Sequence, residues 1–228
     1  MGCTKISEQD YLSSIDEDQL AETLKELEIS GFDIQEFAGH IPEMMNWLEE
    51  NGRKYPWRDT LDPWKVYVAE ILLQRTRADT VSGVYPKFVE KYPSPESIDQ
   101  SNEEELRDII SELGFVNHRV KSLKSAGEIF VSEYEGKVPE TLEGLKKPWR
   151  SGNYVARATQ LFARGETQAL VDPNIVRVIE NKMNVKLPSQ PHKKGEVYSF
   201  MESITPEDAE KARAFYLALL DLGALEFD

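Results

Sequence analysis

From Pro63 onward, apolar residues recur at the three- and four-residue spacing of helices, segment after segment, and strand-like alternation is almost absent. Segments 64–76, 78–91, 103–113 and 117–133 carry this period, separated by short connectors such as Tyr92-Pro93-Ser94-Pro95. Further helices are expected near 152–164, 173–183, 195–202 and 206–223, the last with Phe215, Leu219 and Leu222 along one side. Upstream, Leu20, Leu24 and Leu27 stand at helical spacing within 15–28, with acids placed early where the helix dipole favours them. Gly31 is expected to stop that helix, residues 34–40 to add a turn, and Pro42 to open a helix reaching about Asn51. Such a chain can hide its apolar faces only helix against helix, which makes it all-α, with about ten helices.

The 228 residues, 40% of them hydrophobic, suffice for one large domain or two lobes, and exclude disorder and collagen-like repetition. No run approaches the ~20 apolar residues of a membrane helix, and the N-terminus lacks the apolar stretch of a secretory signal. A soluble intracellular protein is expected. Met1-Gly2 nearly opens an acylation signal, but Ile6 stands where Ser or Thr is required. Cys3 is the one cysteine, which excludes an internal disulfide and any cysteine-rich metal site. The formal charge of −14 is unevenly spread: residues 1–50 carry net −11, and the remaining 178 only −3. The body can therefore present a local basic face to a polyanion, while the acidic stretch reads as a solvated packing arm.

Three places could carry chemistry. Val66-Tyr67-Val68-Ala69-Glu70-Ile71-Leu72-Leu73 is apolar nearly all round, and Glu70 is its one charge. Burying a lone carboxylate costs several kcal/mol, so Glu70 must be paired, protonated or facing a cleft; in a cleft it suits general-acid work. Asp172, before Pro173, has the form of an N-cap, and capping alone accounts for it. An Asp there is also expected to stay ionised, held by backbone N–H groups and the dipole, and able to stabilise a developing cation. Lys146-Lys147-Pro148-Trp149-Arg150-Ser151-Gly152-Asn153-Tyr154 is a turn leading into a helix, an ordinary connection that can also hold a phosphate.

In this order and spacing, the pieces resemble the helix-hairpin-helix DNA glycosylases, the superfamily of endonuclease III and MutY, and within it the adenine glycosylases and G·T mismatch thymine glycosylases. Asn51-Gly52-Arg53-Lys54-Tyr55-Pro56-Trp57-Arg58 looks like the entry motif of that branch. Asp62-Pro63-Trp64, Glu70-Ile71-Leu72-Leu73-Gln74-Arg75-Thr76, Leu113-Gly114-Phe115-Val116-Asn117-His118-Arg119, the hairpin and Val171-Asp172-Pro173-Asn174 follow. The resemblance spans about residues 43–225 and leaves the acidic arm without a counterpart.

The resemblance implies a two-lobed all-α glycosylase fold: an acidic extension (1–41), a helical lobe (about 62–164) and a second lobe (about 42–61 with 165–228), with substrate in a cleft between Glu70 and Asp172. Glu70 would protonate the departing base, Asp172 stabilise the oxocarbenium-like sugar, and Asn174 position water or the carboxylate. Tyr154 falls where bifunctional relatives carry a Schiff-base lysine, which implies a monofunctional hydrolase. Gln74, Arg75 and Phe115 would fill the gap left by an everted base. Asn117, His118 and Arg119 would read its partner or clamp phosphates, and Arg150, Ser151, Gly152 and Asn153 would grip DNA. The hairpin departs from the usual Leu-Pro-Gly-Val-Gly, being one residue longer with Trp149 in place of a glycine. The family's four-cysteine loop is missing, so an iron–sulfur cluster is expected to be absent and no metal is implied. The expected activity is removal of thymine or uracil opposite G, or adenine opposite oxidised G, by a monomer acting on duplex DNA, in the cytoplasm with the nucleoid or in a nucleus. The rival reading is a descendant that keeps the fold and binds DNA or a partner without hydrolysis.

Overall fold

The computed structural model describes residues 5–227, so Cys3 and the Met1-Gly2 pair lie outside the described residues. In chain order the α-helices are α1 (Glu8–Leu12), α2 (Glu17–Glu26), α3 (Ile34–Asn51), α4 (Pro63–Leu73), α5 (Ala78–Lys91), α6 (Pro95–Asp99) and α7 (Glu103–Ile109). They continue with α8 (Val116–Tyr134), α9 (Leu142–Lys146), α10 (Asn153–Thr159), α11 (Pro173–Met183), α12 (Gly195–Ser203) and α13 (Ala209–Leu225). No strand occurs among the described residues, and no helix there is long and apolar enough to cross a membrane.

The helices form two compact units, residues 1–53 with 165–228, and residues 54–164. The boundary at 53/54 differs from the expected 61/62 because Tyr55 and Trp57 stack at 4.7 Å and are buried in the core of the second unit. The expected break at 41/42 falls inside α3. The turn and the helix expected on either side of Pro42 are one helix. An interior proline costs about 3 kcal/mol, but Phe37, Ala38, Ile41, Met44 and Met45 bury one continuous face, each worth roughly 1–3 kcal/mol.

In the first unit, α1 packs on α3, α2 on α12, and α13 on both α3 and α11. The acidic segment is part of this core: Tyr11 is wholly buried, meets the rings of Phe37 and Phe215, and donates to the Ile204 carbonyl at 2.6 Å. Its acids lie on the outer side, as in Glu17, Asp18, Glu22 and Glu26, all exposed. Asp221, with no exposure, accepts from the backbone N–H (2.8 Å) and Nε (2.7 Å) of Arg53, so the residue leaving α3 is tied to α13.

The second unit is built round α4, which is buried on nearly every face and packs against α5, α8 and α10. Asp62 caps it, accepting from the N–H of Trp64 at 2.9 Å, and Trp64 in turn donates to the Tyr92 carbonyl at 3.0 Å. The helix expected over 103–113 stops at Ile109 and tightens into a 3-10 turn, Ser111–Leu113, before Gly114 reverses the chain. The helix expected over 152–164 widens into a π-turn at Gln160–Arg164. There Arg164 donates to the carbonyls of Val138 (2.9 Å) and Pro139 (2.7 Å), partners that lie more than twenty residues away.

Candidate functional site

Asp172 stands at the start of α11 with extended backbone, and its carboxylate accepts from the Asn174 N–H at 2.8 Å. Pro173 presets the first turn. The cap is as expected, but its electrostatic balance is not. Burial raises the proton affinity of Asp172 above the ordinary value, against the opposing pull of the Asn174 and Ile175 N–H groups and of Arg177. Asp172 thus sits where the protein makes its charge costly, a setting common to functional carboxylates.

The C-terminal part of α13 sets the place of this turn. A Cβ on Gly223 would lie 2.3 Å from the Asn174 carbonyl oxygen, and the Gly223 carbonyl accepts from Arg177 at 3.0 Å. Since the obstructing atoms are backbone, Gly223→Ala is expected to cost about 1–3 kcal/mol, read as a lower melting temperature.

Glu70 occupies the middle of α4 at 6% exposure, among the buried Val66, Tyr67, Val68, Ala69, Ile71 and Leu72. It is not without partners. The Tyr85 hydroxyl has its pKa pushed up by burial first and then by the charges of Asp62 and Glu70, which places Glu70 within electrostatic reach of that ring. Tyr154, half-buried, is the second residue of α10, which packs on α4.

The residues expected to meet DNA divide into two groups. Phe115 is 56% exposed with φ 44°, and Arg75, at φ 55°, places its guanidinium 5.9 Å from the Phe115 ring centre. His118 stacks on Phe115 at 6.3 Å and meets Trp149 at 5.6 Å. Gln74 donates to the Arg150 carbonyl at 3.3 Å, joining the turn after α4 to the hairpin. Arg150 also has left-handed backbone, φ 61°. Such geometry in a residue bearing a side chain costs about 1–2 kcal/mol and gathers at functional sites. Asn117 is exposed and accepts from Arg107, and Gly152 and Asn153 are exposed at the start of α10.

Two expected DNA contacts are not at the surface. Arg119 is 3% exposed and donates to the carbonyls of Leu72 (3.3 Å), Leu113 (3.1 Å), Gly114 and Gln74, and to the Thr76 hydroxyl (2.5 Å). It pins together the two turns that carry Arg75 and Phe115 and has no donor left for a nucleic acid. Ser151 is 5% exposed, and its hydroxyl donates to the Leu145 carbonyl at 2.6 Å. Arg119→Met leaves several buried carbonyls unpaired and is expected to cost about 3 kcal/mol or more, measured by urea unfolding. Arg119→Lys, with one nitrogen for acceptors on two turns, restores only part of it.

The residue missed by sequence reasoning is Lys121, whose Nζ lies 4.5 Å from the ring centre of the half-buried Trp149. Lys121 is one helical turn beyond His118 and Asn117, a spacing that could have marked it. An open cavity of about 360 Å³ between Pro56, Lys65, Tyr85 and Glu90 contains none of the expected residues. Among the described residues no group of three or more His, Cys, Asp and Glu side chains could hold a metal. A cluster bound by four thiolates does not fit a sequence with one cysteine.

Residues 68–207 match the HhH-GPD superfamily of base excision DNA repair proteins. The chain is similar to the thymine-DNA glycosylase of Aeropyrum pernix, 34% identical over 181 residues that cover 78% of this chain and 81% of the relative. It is similar to the thymine/uracil-DNA glycosylase of Pyrobaculum aerophilum, 35% identical over 84% of this chain and 83% of the relative. It also aligns with the solved structure of a thermostable thymine-DNA glycosylase at a TM-score of 0.73 and 30% identity, covering 84% of this chain and 87% of that one.

Proposed function

Because the chain belongs to the HhH-GPD superfamily of base excision DNA repair proteins, we propose that it is a monofunctional DNA N-glycosylase. It acts as a monomer on duplex DNA, without a cluster or metal, and releases thymine or uracil opposite guanine. The observation that carries the reading is the presence, inside the matched span, of two carboxylates in separate settings. Glu70 is almost wholly buried in an apolar helix, and Asp172 is an N-cap whose charge burial disfavours. The choice of base follows the names of the relatives from Aeropyrum and Pyrobaculum.

In this mechanism the everted base accepts a proton from Glu70 as its bond to the sugar C1′ breaks. Asp172 opposes the positive charge that develops on the sugar, and a water adds to C1′ with Asn174 as its guide. Tyr154 carries a phenol, which forms no imine with the opened sugar, so the product is an intact abasic strand. Arg75 and Phe115 fill the vacated space.

The test is a set of end-labelled duplexes carrying G·T, G·U or adenine opposite 8-oxoguanine, incubated with protein and then with or without alkali. Breaks on G·T and G·U that need alkali are expected. Breaks without alkali would overturn the monofunctional assignment, and breaks confined to the adenine duplex would move the substrate to the adenine branch. Salt-dependent binding to every duplex with no break on any would leave the binding-protein reading.

A further inference from the structure

Arg75, in the turn after α4, and Phe115, in the turn before α8, share an unusual feature. Each has left-handed backbone, at φ 55° and φ 44°, and neither is a glycine. Such backbone is unfavourable for a residue with a side chain and persists only where its surroundings over-determine it. Here one side chain reaches both turns. The φ of a residue follows the orientation of the peptide before it, and the carbonyls of those two peptides, Gln74 and Gly114, both accept from the buried Arg119 guanidinium. The Phe115 carbonyl also accepts from the Arg119 backbone N–H, at 3.2 Å, so Phe115 is held from both sides. The Thr76 hydroxyl accepts from Arg119 at 2.5 Å and donates to the Leu113 carbonyl at 2.8 Å, a second tie between the turns. Their tips meet as well, the Arg75 guanidinium lying 5.9 Å from the ring centre of exposed Phe115.

We propose that Arg119 is a positioning residue for base eversion, setting the backbone of Arg75 and Phe115 together so that they form one insert before DNA arrives; the proposal rests on the glycosylase reading above. Arg119 itself meets no DNA, because each of its five N–H donors has an acceptor within the protein. An everted base leaves a gap in the stack, and side chains already in place fill it without the loss of freedom that ordering them on contact would bring. Preformation therefore acts on the opening of the duplex and not on the breakage of the base–sugar bond. The consequence is a dependence on how firmly the target base is stacked: the guanidinium matters where a base must be extruded, and little where it is already out.

The test compares the full chain with its Arg119→Lys and Thr76→Val variants on two substrates, a G·T mismatch in an otherwise paired duplex and the same mismatch inside a short bubble, where the thymine is already unstacked. A 2-aminopurine beside the mismatch reports unstacking by its fluorescence, whether or not a base is released. Arg119→Lys offers one nitrogen to two turns and should lower single-turnover release from the paired duplex by about 10- to 100-fold, with most of the rise in fluorescence at saturating protein lost. Release from the bubble should fall by less than about threefold. Thr76→Val, close in shape, removes one tie and should show the same contrast at about fivefold; it carries the comparison if Arg119→Lys is unfolded at the assay temperature. Equal losses on both substrates, or no loss on either, overturn the proposal. A parent that brightens the probe but releases no base, with the rise diminished in the variants, keeps the insert and removes the glycosylase reading. Base release by the parent with undiminished brightening in both variants does the reverse.

Discussion

Asp172→Asn is expected to lower the rate of base release by about 10³-fold while raising the melting temperature at pH 7. The loss follows from removing the negative charge that opposes the developing cation on the sugar. The gain follows from the cap and the burial taken together. Asn caps a helix as well as Asp does, so the bond from the Asn174 N–H survives. Burial outweighs the cap, the neighbouring N–H and Arg177, so the folded pKa of Asp172 lies above that of the unfolded chain. For an acid shifted upward, the favourable contribution is present below the unfolded pKa and is lost as pH rises through the folded one. At neutral pH the parent therefore bears a penalty that the Asn variant lacks, and the gap should close in acid. The measurement is a pair of thermal melts, at pH 7 and near pH 3.5, beside single-turnover excision. A gain equal at both pH values would show that charge is not its source, and excision at parent rate would remove Asp172 from the chemistry.

Glu70→Gln is expected to slow base release by about 10²–10³-fold with duplex affinity retained. Gln matches Glu in shape and keeps hydrogen-bonding capacity in a helix whose other faces are apolar and buried, but it has no proton to give. The sharper reading is the pH profile. A proton donor produces a rate that declines in alkali, and that limb should vanish in the variant, leaving the residual rate flat there. A variant that retains the parent's alkaline limb at a uniformly lower rate would assign Glu70 to structure alone. Asp172→Asn keeps this limb, which separates the two carboxylates by role.

Much of this arrangement could be read from short stretches of chain. The helices over 78–91 and 173–183 lie where the apolar period places them, because that period and the residues that start and stop it act within a few positions. The Asp172 cap is equally local. Short stretches of chain are silent where distant atoms decide. Nothing near Arg119 in sequence shows that it faces the carbonyls of residues 72 and 74, so it passed for a surface cation. Ser151, in a hairpin that suggested exposure, turns its hydroxyl to Leu145. Phe115, a large apolar side chain, is exposed, on left-handed backbone at the start of α8. The interior place of Pro42 in α3 depends on apolar neighbours that only packing supplies.

By itself the sequence determined an all-helical chain, the solitary carboxylate of α4 and the capping carboxylate of α11, since each rests on periodicity or on bonds between near neighbours. Tertiary structure alone decided that the acidic segment belongs to a core, that Arg119 is a brace for two turns, and that Lys121 lies over Trp149. Those outcomes depend on desolvation and on acceptors brought from dozens of residues away, and the loss of water around a side chain is a property of the packed whole.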